Sequence, residues 1–153
     1  MKYAHVLCGW LIALSVTGAQ EINADLEKAT KDAVQKVAPS VVQIVTQGGI
    51  DMVVTTPKGP VFRKSLGPTT GLIVADDGYI ISSAFNFVNQ PTTILVHIQG
   101  HKEPYLAKRV ATDKSRMLTL LKIDTTGLPI QAFAPKKGIF EGQWAIALGR
   151  ALD

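Results

Sequence analysis

The sequence predicts an all-β fold: a six- to seven-stranded antiparallel barrel preceded by one short helix. Three observations carry this expectation. Short apolar runs rich in Val, Ile and Leu recur between residues 40 and 148, separated by Gly, Pro and Asp turn signals. Two of them, Leu72–Ala75 and Tyr79–Ile81, flank Asp76-Asp77-Gly78, a hairpin turn in which Asp side chains can bond nearby N–H groups and Gly tolerates a positive φ. Helical periodicity is confined to the stretch before Pro39.

Length and composition bound the rest. A chain of 153 residues suggests one domain, at most one and a half. A hydrophobic content of 46% fits a globular protein rather than a disordered one. The net charge of +4 is too small and too scattered to argue for nucleic-acid or membrane binding, and neither a nucleic-acid partner nor a membrane span is expected. The dense basic spots, Arg63-Lys64 and Lys136-Lys137, read as solvated surface ahead of a phosphate site.

Residues 1–19 read as a signal peptide. Lys2 supplies the positive start, Val6 to Val16 the apolar core, and Thr17-Gly18-Ala19 the small residues before a cut at Gln20. That core is shorter than the roughly 20 residues a helix needs to span a bilayer, so export is expected rather than a membrane span. The destination would be periplasmic or extracellular. Cys8 is the one cysteine and lies inside this segment, which leaves the remainder without disulfide or thiol nucleophile.

In order, residues 22–38 read as a helix, within an N-terminal segment 20–39. Leu26, Ala29, Ala33, Val34 and Val37 recur at three- and four-residue steps. Asn23 or Asp25 can cap its start, and Pro39 ends it. Residues 40–153 form the barrel. Its first strand is Ser40–Gln47, dense enough in apolar residues to be buried on both faces. A long connection through Pro68 holds two weak strand candidates, Met52–Thr55 and Val61–Lys64. The hairpin 70–82 follows, then strands Thr92–Ile98, Tyr105–Thr112 and Leu118–Ile123. After the break at Gly127-Leu128-Pro129 and the polar loop Pro135–Gly142, Gln143–Leu148 reads as a last strand.

Five segments together carry a family resemblance. They are Val37-Ala38-Pro39-Ser40-Val41-Val42, Thr70-Gly71-Leu72-Ile73-Val74, Asp77-Gly78-Tyr79-Ile80-Ile81, Leu118-Thr119-Leu120-Leu121-Lys122-Ile123 and Gly142-Gln143-Trp144-Ala145-Ile146-Ala147-Leu148-Gly149. In that order and spacing, residues 33–149 resemble the first β-barrel of the HtrA/Deg family of trypsin-like serine proteases. The resemblance implies two perpendicular barrels with the active site between them. The first would carry histidine and aspartate, the second serine and the oxyanion hole. The chain reaches Asp153 where the linker to a second barrel would begin, so that half is expected to be absent, or lost to truncation.

Serine catalysis needs an imidazole to take the hydroxyl proton and a carboxylate to orient it. Placed on this sequence, the family's histidine position falls on Phe85, or on Asn86 if one residue is inserted, and its aspartate position on Met117. None of the three side chains is a general base near neutral pH. Asp113 reads as a turn residue. His97, on a strand, and His101, in a turn, read as surface or half-buried residues. Ser82 and Ser83 lack a glycine-flanked nucleophile setting. No spacing suits a metal and no motif a cofactor. Phe85 and Phe87 are expected in the core, with a hydrophobic docking spot as the alternative.

The function expected is that of a secreted, catalytically degenerate HtrA-type homologue acting as a binding or scaffold module. The alternative is a serine endopeptidase represented by an incomplete chain. Expected partners are a protein or peptide ligand, or a second copy associating through the face that would pack on a second barrel.

Overall fold

The computed structural model describes residues 16–49, 52–63 and 68–150. The apolar run assigned to the signal therefore lies almost wholly outside the described residues. The chain divides into two compact units, residues 1–36 and 37–153.

In the first unit, α1 spans Val16–Val37. It begins six residues before the expected start, so Asn23 and Asp25 are interior and no acidic residue occupies its first turn. The reason is local: nothing between Val16 and Asn23 breaks a helix apart from Gly18, whose cost is only about 1 kcal/mol. Surface pairs one turn apart line the helix. Lys28 and Asp32 approach to 3.7 Å, Lys31 bonds Glu27, and the Thr30 hydroxyl donates to the Leu26 carbonyl. A single 3-10 turn, Ala38–Ser40, carries Pro39 at its start and leads into the strands.

Among the described residues of the second unit, eight strands form: β1 Val41–Gln47, β2 Met52–Thr56, β3 Gly59–Arg63, β4 Thr69–Ile73, β5 Tyr79–Ser83, β6 Thr93–His97, β7 Tyr105–Asp113 and β8 Leu118–Ile123. Six close into an antiparallel barrel in the order β1-β4-β5-β8-β7-β6, with β6 returning to pair β1. The weak candidates in the long connection form a separate two-stranded sheet, β2–β3. The expected hairpin forms, with Ile73 opposite Ile80 and Gly71 opposite Ser82. Its turn is closed by Val74 N–H donating to the Tyr79 carbonyl and Gly78 N–H to that of Ala75. Gly78 has φ of +102°, and a Cβ there would lie 2.4 Å from the Ile123 carbonyl oxygen, so no other residue fits without displacement.

Alternate residues fill the interior. Val42 and Ile44 of β1, Ile73, Ile80, Ile94 and Val96, Leu121 and Ile123 form one buried cluster with Phe87 and Leu128. Lys122 points outward on β8 and binds the hairpin turn. Its Nζ donates to the carbonyls of Asp77 and Ile123, and it lies over the Tyr79 ring.

The last expected strand does not form. Residues 143–148 join no strand, because closure of β6 on β1 leaves the barrel no free edge for them. Trp144 is 84% exposed, and Phe133, Ile139 and Phe140 are exposed as well. This tail touches down at Arg150. Its N–H donates to Thr70 Oγ1 at 2.8 Å and its guanidinium to Gln99 Oε1.

Candidate functional site

One end of the barrel gathers the positions where the sequence sought a catalytic base and its carboxylate. β5 ends there at Ser83, β8 begins there at Leu118, and the two residues are register partners. A 3-10 turn, Ala84–Phe87, caps this end. The Ser83 hydroxyl starts the turn by accepting the Phe85 N–H. A bond of 2.8 Å from the Ala84 N–H to the Met117 carbonyl joins the turn to the β7–β8 connection. Phe85 and Met117 are thus brought to the same place, although 32 positions apart in the chain (85 to 117).

Met117 holds a left-handed backbone, φ of +55°, which is uncommon for a side chain of its kind. The preceding turn explains how it gets there. Asp113 Oδ1 accepts the N–H groups of Ser115 and Arg116, and its Oδ2 accepts the Arg116 guanidinium at 2.8 Å. The expected role of Asp113 as a turn residue is thereby seen in its bonds. The Arg116 guanidinium, then the Arg116 and Ser115 N–H groups, hold the carboxyl below its ordinary pKa of 3.8, and its slight desolvation opposes them.

Phe85 and Phe87 part company. Phe87 is 3% exposed and belongs to the core, whereas Phe85 is 54% exposed. The expectation of two core aromatics is corrected for Phe85. In a 3-10 turn, residues three apart share a face, so Ala84 and Phe87 both face inward and Phe85 takes the outer side. The three-residue spacing of Ala84 and Phe87 was the sequence signal for this. Asn86 is half-buried, and its side-chain amide donates to Thr69 Oγ1 at 2.7 Å, tying the turn to β4.

Chemically, the site has no proton acceptor suited to catalysis among these side chains. Phe85 offers a ring, Met117 a thioether, and Asn86 an amide already engaged. The histidines lie elsewhere. His97 ends β6 at the opposite end of the barrel, half-buried. His101, exposed in the following turn, has Nδ1 2.9 Å from the Tyr105 hydroxyl. Ser82 is buried and its hydroxyl donates to the Thr70 carbonyl, so both serines of this corner serve the backbone. Among the described residues no three His, Asp or Glu side chains gather as a metal site would need. No helix among them is long and apolar enough to cross a membrane.

Comparison with known proteins finds relatives that share one name. A protein of Marinomonas sp. (strain MWYL1), named a probable periplasmic serine endoprotease, DegP-like, is 36% identical over 87 residues. That is 57% of this chain and 18% of the relative. Proteins with the same name from Pseudomonas fluorescens and Chlamydia trachomatis are 31% identical over 94 residues and 35% over 81. They are matched over 61% and 52% of this chain. The matched stretch is homologous to DegP-like serine endoproteases. It spans less than a fifth of each of these relatives, 16% to 19% of their length. No family model matches the chain.

Proposed function

We propose that this chain is a catalytically degenerate HtrA-type homologue whose barrel serves as a binding or scaffold module, exported by its N-terminal segment. The observation that carries the reading is the 2.8 Å bond from the Ala84 N–H to the Met117 carbonyl, which joins the segment carrying Phe85 to Met117. In a serine protease of this kind, the side chains meeting here would be an imidazole and a carboxylate. Replacing one member of a triad typically removes several orders of magnitude in rate, and both are replaced here. The two substitutions sit in an otherwise intact frame: the hairpin, its glycines and the register of β5 on β8 are kept. Retention of the frame with loss of the bases favours binding over hydrolysis.

The purified protein, treated with a serine-directed fluorophosphonate probe, is expected to show no labelling above a heat-denatured control. Labelling of a single serine, or casein hydrolysis that survives rigorous purification, overturns the reading. Either result would favour the second reading, a serine endopeptidase, which the names of the relatives support. Export is tested separately. Cell fractionation and N-terminal sequencing are expected to find an exported chain beginning at Gln20.

A further inference from the structure

The replaced side chains do more than remove a base; they leave an apolar surface with a charged margin. Phe85, Val88, Met117 and Leu118 are all substantially exposed, at 54%, 46%, 46% and 39%. Backbone bonds hold them to one end of the barrel. Val88 N–H donates to the Phe85 carbonyl, Ala84 N–H donates to that of Met117, and Leu118 is the register partner of Ser83. Three cations border them. Arg109 reaches from β7 to the Phe87 carbonyl, 3.5 Å away, and Lys114 and Arg116 lie in the turn that precedes Met117. Among the described residues, Asp113 is the acid on the strands and turns of this end, and Arg116 already occupies it.

We propose that this end of the barrel docks an extended acidic peptide through an apolar anchor, a proposal that rests on the binding-module reading above. The anchor, an aromatic or aliphatic side chain, would cover Phe85 and Met117. Flanking Asp or Glu residues would meet Arg109 and Lys114. Charge complementarity selects this occupant over a second copy of the chain. A two-fold pairing through this end would set Arg109, Lys114 and Arg116 against the same residues of the partner, in a chain whose net charge is +4. An acidic partner removes that repulsion and gains from it, and its binding must weaken as salt is added.

The test is fluorescence anisotropy with the full chain and three labelled peptides. One has a central Phe flanked by Asp and Glu, the second replaces the acids by Lys, and the third replaces the Phe by Ser. The acidic peptide with Phe is expected to bind at least about tenfold more tightly than either of the others, with affinity falling as salt rises. Phe85→Ser and Met117→Ser are expected to reduce its affinity about tenfold or more with the circular dichroism spectrum unchanged. Lys114→Glu, which leaves Arg109 opposed by one acid, is expected to abolish the preference for acidic over basic flanks. Leu106→Ser, which changes an exposed apolar residue at the far end of β7, is expected to leave binding unaltered. Equal affinity for acidic and basic peptides, or undiminished binding by Phe85→Ser, overturns the proposal. So does self-association that disappears in Phe85→Ser, which would make a second copy the occupant. Mass spectrometry of the recovered peptide separates the two levels of failure. A cleaved peptide overturns the binding-module reading and the docking with it, whereas an intact but unbound peptide overturns the docking alone.

Discussion

Phe85 and Phe87, two positions apart, make opposite demands on stability. Truncating Phe87 removes a buried ring from the barrel cluster, so Phe87→Ala is expected to cost about 3–5 kcal/mol by urea unfolding. Phe85→Ala is expected to stay within about 0.5 kcal/mol of the parent, because the ring is largely in solvent. A large loss in Phe85→Ala would return that ring to the core and remove the surface proposed as a docking site. The sequence placed the family's histidine position on Phe85 or Asn86 and its aspartate position on Met117, and the turn that carries Phe85 and Asn86 is bonded to Met117 in the structure. The outward face of Phe85 was harder to read, because it depends on a four-residue turn whose period is three rather than two. Asp113 carries the pH-sensitive prediction at this scale. Its folded pKa is depressed, so the Arg116 contact contributes fully above the unfolded pKa and is lost as pH falls through the folded one. The window therefore lies below about pH 4, at and under the ordinary value of 3.8. An NMR titration of the side-chain carboxyl carbons is expected to place Asp113 below that value, and Arg116→Ala to move it back toward it.

The hairpin of β4 and β5 is the element that sequence reading captured best, for physical reasons that are local. Asp76-Asp77-Gly78 specifies the turn, and the inward set Ile73 and Ile80 follows from a period of two. Gly71 shows how tightly that set is packed. A Cβ there would stand 2.6 Å from Ile44 Cδ1 and 2.8 Å from Ile80 Cγ2 inside the barrel. Gly71→Ala is thus expected to destabilise by about 1–3 kcal/mol through overpacking, despite the usual advantage of alanine in the unfolded state. Thermal denaturation measures this, and an unchanged midpoint would mean that the barrel relaxes around the methyl group. Residues 143–148 are the contrasting element. Their composition is that of a strand, and the family resemblance placed them in the barrel, yet pairing requires a free edge. Whether an edge is free is decided by β1 meeting β6, some fifty positions apart, which no local pattern encodes.

At the scale of the whole second unit, a closed barrel satisfies its own strands and leaves its C-terminal tail without a sheet to join. Ile130, Phe133, Ile139, Phe140 and Trp144 then remain at the surface, each more than half exposed. Trp144 reports on this directly. In a Trp10→Phe background it is the single indole, and at 84% exposed its emission is expected at the wavelength of a solvated indole. Acrylamide is expected to quench it as freely as it does after unfolding. The double variant Phe140→Ser, Trp144→Ser is expected to keep the parent's stability to within about 0.5 kcal/mol per site while lowering the binding of a dye that reports exposed apolar surface. The two readouts separate two physical situations. If the tail packs on something in solution, emission shifts to the blue, quenching falls and the double variant loses stability. If it is exposed, as closure of β6 on β1 dictates, only the dye signal moves. That outcome would make the tail an apolar surface separate from the charged end at Phe85.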